Sequence, residues 1–179
     1  MERLAISALD AAEPEVGRWL GALEEVRRKT VETVTGCDEA CLDWCGPDGR
    51  ENPIGALLYH VGLVEMSWLY LDLLRTELPS HVKELFPYPS RDEANRLTRV
   101  PSTSLDEHLQ ALAQSRRILL DVLRDIDVDG WRRLRTPVDG MDYETNPEWV
   151  VFHLIEHEAG HTAQMSSLKA RWLRHQDGT

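Results

Sequence analysis

The sequence is short of positive charge. Its 179 residues include 20 Lys and Arg against 31 Asp and Glu, which gives a formal net charge of −11 at pH 7. A protein that neutralises nucleic-acid phosphates needs a basic face. The densest basic stretches, residues 27–29 and 132–135, are short and flanked by acids, which is typical of solvated helix faces. We therefore predict no nucleic-acid partner.

Long apolar runs are also missing. No stretch approaches the ~20 uninterrupted apolar residues that spanning a bilayer requires. The first four residues, Met-Glu-Arg-Leu, lack the basic segment followed by an apolar segment that marks a secretory signal. The sequence therefore predicts a soluble, cytoplasmic protein with no membrane partner.

Cysteine is scarce, and its three copies lie within nine residues, at Cys37, Cys41 and Cys45. An odd number of closely spaced thiols is a poor disulfide framework, which fits a reducing cytoplasm. Their spacing of four would place them on one stripe of a helix, where a thiol cluster could bind a soft metal or sense oxidants. The favoured interpretation is that they are small buried side chains near a helix end.

Apolar residues at helical spacing are abundant. With 42% apolar residues and a length typical of one domain, residues 1–179 can bury a single core without disulfides. Four segments repeat apolar residues with a period near 3.6 and are separated by Pro- and Gly-bearing connections, which predicts an all-α fold. The predicted helices run from about Pro14 to Gly36, from Asn52 to Pro79, from Ser104 to about Asp127, and from Asn146 to about Arg174.

Two connections are longer than simple turns. Residues 80–103 contain Phe-Pro-Tyr-Pro and a polar stretch that could form a short helix, and a connection of this length is a lid candidate. Residues 131–145 contain Asp139-Gly140, a weak hairpin signal. Tryptophans at helical spacing, such as Trp68 and Trp149, are interpreted as core or interface residues.

The histidines carry the clearest chemical signal. Three of the seven lie at intervals of four in the last predicted helix, at His153, His157 and His161. Residues four apart project over adjacent turns of one helix face, so two imidazoles can converge on one cation. A catalytic zinc-type site commonly takes three protein ligands and leaves one position open. Because His153 and His161 are about 80° apart around the helix, another helix is a better source of the third ligand.

His60 is the candidate for that third ligand. It lies in the middle of the second predicted helix among apolar residues, where a buried imidazole needs a polar partner. A histidine there facing His157 and His161 would build a three-nitrogen site between helices. The alternatives are a core histidine satisfied by one hydrogen bond, and a His-x-x-x-His pair that arises by chance. Three further histidines are interpreted as surface residues: His81, His108 and His175.

The order of these motifs resembles the DinB/YfiT-like superfamily. The resemblance rests on Trp-Cys-Gly-Pro at residues 44–47, Ile-Gly-Ala-Leu-Leu-Tyr-His-Val at 54–61 followed by Glu65 and Trp68, and His-Glu-Ala-Gly-His-Thr-Ala-Gln at 157–164. It covers nearly the whole chain, and it implies a four-helix bundle in up-down-down-up order. It also implies a divalent metal held by His60, His157 and His161. Many members end the last motif with His-Arg-Gly-Gln, whereas this chain has His-Thr-Ala-Gln, a departure that leaves the ligand in place.

The resemblance also implies a class of activity. Members include thiol-dependent S-transferases, which use low-molecular-weight thiols such as bacillithiol or mycothiol, and a mycothiol-dependent isomerase. A homodimer acting on a small-molecule substrate is therefore implied, with the substrate left open. Three neutral imidazoles leave the charge of a divalent ion unneutralised, so a bound water or thiol becomes a nucleophile near neutral pH. Imidazole suits zinc, nickel, copper and iron; zinc is the default expectation, with nickel, manganese or iron as the alternatives.

A proton acceptor near the metal would assist either reaction. Glu65, about one and a half turns after His60, is preferred over Glu156 and Glu158 because its helix is apolar on more than one side and hence central. Glu65 could instead fix the tautomer of a ligand histidine, or be a solvated acid. The candidate pocket residues are His153, Gln164 and Tyr59.

Three hypotheses of different classes follow. The first is a cytoplasmic metalloenzyme that transfers a thiol to a small electrophile, with His60, His157 and His161 on the metal. The second is a metal-dependent hydrolase using the same site. The third is a non-catalytic helical bundle, in which the histidines are structural and the function is dimerisation or stress-related binding.

Overall fold

The structure, a computed structural model, describes residues 5–178. The prediction of no secretory signal concerns residues 1–4, which lie outside this range. Within the described range the chain forms helices and two isolated β-bridges but no strand, which confirms the all-α class. The helices are α1 (Pro14–Val34), α2 (Glu39–Asp43), α3 (Ile54–Ser67, continued by a π-helical segment Trp68–Leu73), α4 (Ser80–Leu85), α5 (Leu105–Leu123), α6 (Val128–Arg132) and α7 (Pro147–Gln176).

The starts of the long helices follow local capping chemistry. Proline occupies the first turn of α1 and of α7, where its missing N–H has no partner to lose. The Asn146 side chain accepts a hydrogen bond of 2.8 Å from the backbone of Trp149. Ser104 and Glu107 form a reciprocal capping box at the start of α5. These caps explain why the predicted helix starts lie within about two residues of the observed ones.

Helix ends were harder to predict. The second predicted helix, expected to reach Pro79, stops being α-helical at Ser67 and continues as a π-helical segment to Leu73. Arg75 then adopts a positive φ of 55°, a conformation that no helix continues through. The prediction was therefore wrong at this end, because a π-helical turn carries no strong sequence signal.

Four long helices bury the core. Helix α1 packs against α7 and α5, and α3 packs against the same two helices. Each contributes a fully buried side chain to the larger apolar cluster: Leu20, Met66, Leu119 and Val150. A second cluster joins α2 to the middle of α3 and the later part of α7. The up-down-down-up order of a four-helix bundle stays a prediction.

The segment Ile54–Leu73 is unusually apolar. By length and composition it could cross a membrane, yet 72% of its most apolar stretch is buried inside the protein. Helix α3 is buried on all sides between α5, α7 and α2. Packing in a protein core therefore accounts for its apolar character.

The two long connections fold back onto the helices. In the first, the Tyr59 hydroxyl donates a hydrogen bond of 2.8 Å to the carbonyl of Tyr88 and accepts one of 2.8 Å from its backbone N–H. In the second, the expected hairpin is reduced to one bridge between Arg135 and Thr145. Whether residues 80–103 act as a lid stays a prediction.

The cysteines and one histidine differ in part from expectation. Cys37 and Cys41 are buried, as expected, with their Sγ atoms 3.2 Å apart, while Cys45 is half-buried. They form no continuous helical stripe, because α2 spans only Glu39–Asp43. His108, predicted to lie on the surface, is only 4% exposed. That prediction was wrong because His108 lies on the face of α5 that packs against Gly55.

Candidate metal centre

Three histidines from two helices converge on one point. His157 and His161 lie one turn apart on α7, and His60 faces them from the middle of α3. The Nε2 atom of His157 is 3.2 Å from Nε2 of His60 and 3.1 Å from Nε2 of His161. All three potential ligand atoms lie within 4.8 Å of one another. The structure thus brings together the three residues that the sequence selected as ligands.

Two of the three imidazoles are oriented through their other ring nitrogen. Nδ1 of His161 is 3.0 Å from the amide oxygen of Gln164. Because that oxygen only accepts hydrogen bonds, Nδ1 carries the proton and Nε2 keeps its lone pair for a metal. Nδ1 of His60 is 2.9 Å from the hydroxyl of Ser90. Nδ1 of His157 is buried without a hydrogen-bond partner.

Burial keeps these imidazoles neutral. Desolvation lowers the pKa of His60 to about 4 and that of His157 to about 3. Charge repulsion adds to the effect, from His161 and Arg91 on His60 and from the three neighbouring histidines on His157. Burial also lowers the pKa of His161, against the opposing effect of its hydrogen bond to the amide oxygen of Gln164. All three rings are therefore in the form that binds a metal at neutral pH.

The nitrogen cluster fits a cation better than it fits internal hydrogen bonds. An imidazole nitrogen carries either one proton or one lone pair in the ring plane. Nε2 of His157 therefore cannot form good hydrogen bonds to Nε2 of both His60 and His161. Zinc–nitrogen bonds of about 2.0–2.1 Å in a tetrahedron separate two ligand atoms by about 3.3 Å. The observed distances of 3.1 and 3.2 Å are close to that value. Three imidazoles favour zinc, nickel or iron over magnesium or calcium, which prefer oxygen ligands.

His153 extends the site along α7 instead of binding at the nitrogen cluster. Its ring centroid is 5.8 Å from that of His157, at the edge of the cluster. The ring stacks on Trp149 at 5.1 Å with an interplanar angle of 5°. It also meets the edge of Trp68 at 5.0 Å. The His153 imidazole thus lies between the nitrogen cluster and the indoles of Trp68 and Trp149.

Tyr59 faces a different cavity from the histidine cluster. It lines a cavity of about 640 Å³ formed by the 84–103 region and α5. Its hydroxyl is fully used by the backbone of Tyr88. Burial raises the pKa of Tyr59 to about 12, so the phenol stays protonated at neutral pH. The geometry therefore gives Tyr59 the role of fixing the connection that carries Ser90.

Glu65 lies in a buried ion cluster and is not a solvated acid. Only 1% exposed, its carboxylate accepts hydrogen bonds of 2.5 Å from Arg116 and 2.7 Å from Ser115. Arg27 adds an ion pair at 3.4 Å. Burial alone would raise its pKa, but the two guanidinium groups hold the pKa below the usual range. A carboxylate so well paired is a poor proton acceptor.

The other two acidic candidates differ in environment. Glu158 belongs to the same cluster as Glu65, accepting from Arg27 at 2.6 Å and from Arg116 at 2.9 Å. Glu156 is exposed on α7. The site residue that sequence reasoning missed is Ser90, which lies in an irregular connection where spacing carries no information about direction.

Comparison with known proteins places these observations in context. The sequence profile described as the DinB superfamily matches residues 22–165. The uncharacterised protein YkkA of Bacillus subtilis is 24% identical over 160 residues, covering 89% of each chain. Among solved structures, a conserved protein from Enterococcus faecalis matches with a TM-score of 0.61 at 15% identity, covering 84% of this chain and 92% of that one. The structural match, at this identity, supports the fold.

Proposed function

The chain belongs to the DinB superfamily, and on that premise we propose that it is a divalent-metal-dependent enzyme that transfers a low-molecular-weight thiol to a small electrophile. The convergence of three Nε2 atoms, from His60, His157 and His161, carries this proposal. No other residue type enters that cluster among the described residues. Such a set of neutral ligands holds a metal without cancelling its charge.

Each residue of the centre has a defined task. His60, His157 and His161 would hold the ion, with Gln164 and Ser90 fixing the rings of His161 and His60. A bound divalent ion supplies Lewis acidity that lowers the pKa of a thiol or of water. Zinc is the first metal to test, with nickel, manganese and iron next.

The surroundings of the site favour a thiol over water as the nucleophile. The buried carboxylates nearest in sequence, Glu65 and Glu158, are both paired with Arg27 and Arg116. Deprotonating water, with a pKa of 15.7, needs more help than deprotonating a thiol with a pKa of about 8.5. Among the described residues the buried carboxylates beside the ligands are both paired and Glu156 is exposed on α7, so the centre is better suited to a thiol.

A conjugation assay tests this function. Purified protein is loaded with zinc, nickel, manganese or iron and supplied with a thiol, such as bacillithiol or mycothiol, and 1-chloro-2,4-dinitrobenzene or iodoacetamide. We expect metal-dependent product formation that falls at least 100-fold in His157→Ala. His175→Ala, an exposed histidine at the end of α7, is the matched control and should retain the wild-type rate.

Two results would contradict the proposal. Equal rates in wild type and His157→Ala would remove the metal centre from the reaction. Turnover of ester or amide substrates that needs the metal but no thiol would instead establish the alternative function, a metal-dependent hydrolase on the same site.

A further inference from the structure

A small cavity lies at the start of α7, where the first turn of this helix meets the π-helical segment Trp68–Leu73. Its volume is about 280 Å³, and its lining is mostly apolar. Residues 144–146 close one side of the cavity. Its walls are three aromatic side chains and one leucine: Trp68, Tyr143, Trp149 and Leu134. Concave apolar sites with a few polar groups are the usual binding places for small molecules.

The aromatic rings around this cavity are arranged as a partial cage. The ring centroid of Trp68 lies 5.4 Å from that of Trp149 and 6.0 Å from that of Tyr143. Trp149 is 46% exposed although it is among the largest apolar side chains in the protein. An indole left accessible beside a cavity offers a flat surface on which a planar ring can stack.

The wall residue Tyr143 carries a polar group. The Tyr143 hydroxyl donates a hydrogen bond of 2.6 Å to the carboxylate of Asp72, which is only 5% exposed. The phenolic oxygen keeps lone pairs that can accept a hydrogen bond from a ligand. Asp72 and Trp68 both belong to the π-helical segment, a feature that is frequent at functional sites.

A continuous row of rings joins the cavity to the metal centre. The His153 imidazole stacks on Trp149 at 5.1 Å and lies 5.8 Å from the ring of His157. Trp68 also contacts His153, edge to face at 5.0 Å, so the three rings form one group. The His153 ring thus lies between the cavity wall and His157, so a ligand with its ring against the indoles needs an arm that passes His153 to reach the three-histidine cluster.

We propose that this cavity binds the planar aromatic part of the electrophilic substrate, with the reacting carbon extending past His153 toward the three imidazoles. The proposal rests on the proposed thiol-transfer function and names its substrate class, an electrophile attached to an aromatic ring. The walls of the cavity and their continuity with His157 are the observations that support it. In the reaction with N-(2-phenylethyl)iodoacetamide, whose reacting carbon lies on an arm attached to the ring, a carbon–sulfur bond forms at that carbon, iodide leaves with the carbon–iodine electron pair, and the thiol proton passes to the buffer.

Binding can be tested without catalysis. We would titrate chelator-treated protein with 2-naphthol, a planar two-ring phenol, by isothermal titration calorimetry. We expect wild type to bind it and Trp149→Ala to bind at least tenfold more weakly, while Trp149→Phe retains most of the affinity. Phe152→Ala is the matched control, since Phe152 is also 46% exposed on α7 and should bind as wild type does. Wild type that fails to bind, or Trp149→Ala that binds equally, would overturn the proposal.

Kinetics then connect the cavity to the reaction. In metal-loaded protein with excess thiol, Trp149→Ala should raise KM for N-(2-phenylethyl)iodoacetamide at least tenfold and leave KM for iodoacetamide, which has the same reacting group without the ring, unchanged. Equal changes for both electrophiles would overturn the role in substrate selection. No turnover of either electrophile, with 2-naphthol still bound, would refute the thiol-transfer function while leaving an aromatic-binding site.

Occupation by a second copy of the chain is the competing use of this surface. Light scattering of wild type and Trp149→Ala at equal concentration separates the two. A loss of dimer in the variant without any loss of 2-naphthol affinity would overturn the ligand site in favour of an interface between copies.

Discussion

The chemistry of each site histidine depends on what its second ring nitrogen contacts. Gln164 fixes the tautomer of His161, because its amide oxygen can only accept the proton of Nδ1. Ser90, from a different part of the chain, contacts Nδ1 of His60 and orients its ring; because a hydroxyl can donate or accept, this contact does not fix the tautomer. Such partners are the part of a metal site that orients the ligands and raises their basicity.

Removing the partner of His161 should weaken the metal site without unfolding the protein. We expect Gln164→Leu to lower zinc affinity about 10- to 100-fold, measured by competition with a chromophoric chelator. Gln164→Glu keeps an oxygen acceptor and should retain most of the affinity. Gln110→Leu, an exposed glutamine on α5, is the control. Affinity unchanged in Gln164→Leu would show that the Nδ1 hydrogen bond does not orient the ligand.

The low pKa of the buried histidines predicts how stability depends on pH. An unfolded histidine has a pKa near 6.5, whereas burial lowers the pKa of His60 to about 4 and of His157 to about 3. Between these values the unfolded chain binds protons that the folded chain does not, so the free energy of unfolding falls as the pH drops from about 6.5 toward 4.

Urea unfolding of chelator-treated protein at pH 7, 6 and 5 measures this dependence. We expect a shallower decline in His157→Ala, because one of the histidines that titrate differently in the two states is gone. Zinc affinity should likewise hold from pH 7 to pH 6 and fall in more acidic buffer. Parallel declines in wild type and His157→Ala would contradict the assigned pKa of His157.

At the level of residues, the sequence predicts what helical spacing controls. The pair His157 and His161 follows from a spacing of four on one helix, and His60 follows from a lone imidazole in an apolar helix. Ser90 was beyond prediction because an irregular connection has no period. The environment of Glu65 was missed because its partners, Arg27 and Arg116, lie 38 and 51 residues away along the chain.

Four long helices meet at one buried ion cluster. Arg27 of α1, Glu65 of α3, Arg116 of α5 and Glu158 of α7 are each less than 9% exposed. The carboxylates of Glu65 and Glu158 each contact both guanidinium groups. Because Glu158 follows His157 directly, the cluster holds the same turn of α7 that carries the metal ligands.

Breaking this cluster should destabilise the fold strongly. Arg116→Met leaves the carboxylates of Glu65 and Glu158 with one guanidinium between them, and removing one partner of a buried pair costs about 3–5 kcal/mol. Arg28→Met is the matched control, because Arg28 pairs with Glu25 and Glu32 on the surface, where ion pairs contribute little to stability. Urea unfolding would reveal the difference. An equal loss of unfolding free energy in the two variants would mean that the buried ion cluster stabilises the fold no more than a surface ion pair does.

Two helical glycines should respond in opposite directions to alanine. Gly160 in α7 has nothing within 4 Å of an added Cβ, so Gly160→Ala should stabilise the protein by about 0.5–1 kcal/mol. A Cβ on Gly62 in α3 would lie 2.6 Å from the Phe86 ring, so Gly62→Ala should destabilise it, by about 1–3 kcal/mol as overpacking does. Thermal unfolding measures both. A higher unfolding temperature of the Gly62→Ala protein would show that the Phe86 ring moves aside at little cost in free energy.

At the level of elements, helix starts were predictable and one helix end was not. Asn146, Ser104 and the two first-turn prolines act locally, so their effect is visible in the sequence. The π-helical segment Trp68–Leu73 depends on packing between distant parts of the chain and leaves no local pattern. The same holds for α2, whose five residues are too few for an apolar period to show.

For the molecule as a whole, the fold class followed from composition and periodicity. A chain with 42% apolar residues arranged at helical spacing has few alternatives to packed helices. The site follows from that packing, because α3 and α7 contact each other and each presents histidines to the other. The substrate could not be predicted from the sequence. The aromatic cavity combines residues of the π-helical segment, of α7 and of the connection before α7, which lie together only in the folded chain.

Elemental analysis of the purified protein tests the metal centre most directly. Untagged wild type, His60→Ala, His157→Ala and His161→Ala would be compared at equal protein concentration, with circular dichroism to verify that each remains helical. We expect about one divalent ion per wild-type chain and loss of that ion in all three variants. Wild type that is metal-free and takes up neither zinc, nickel, manganese nor iron would contradict the metal centre, as would a helical variant that keeps its ion.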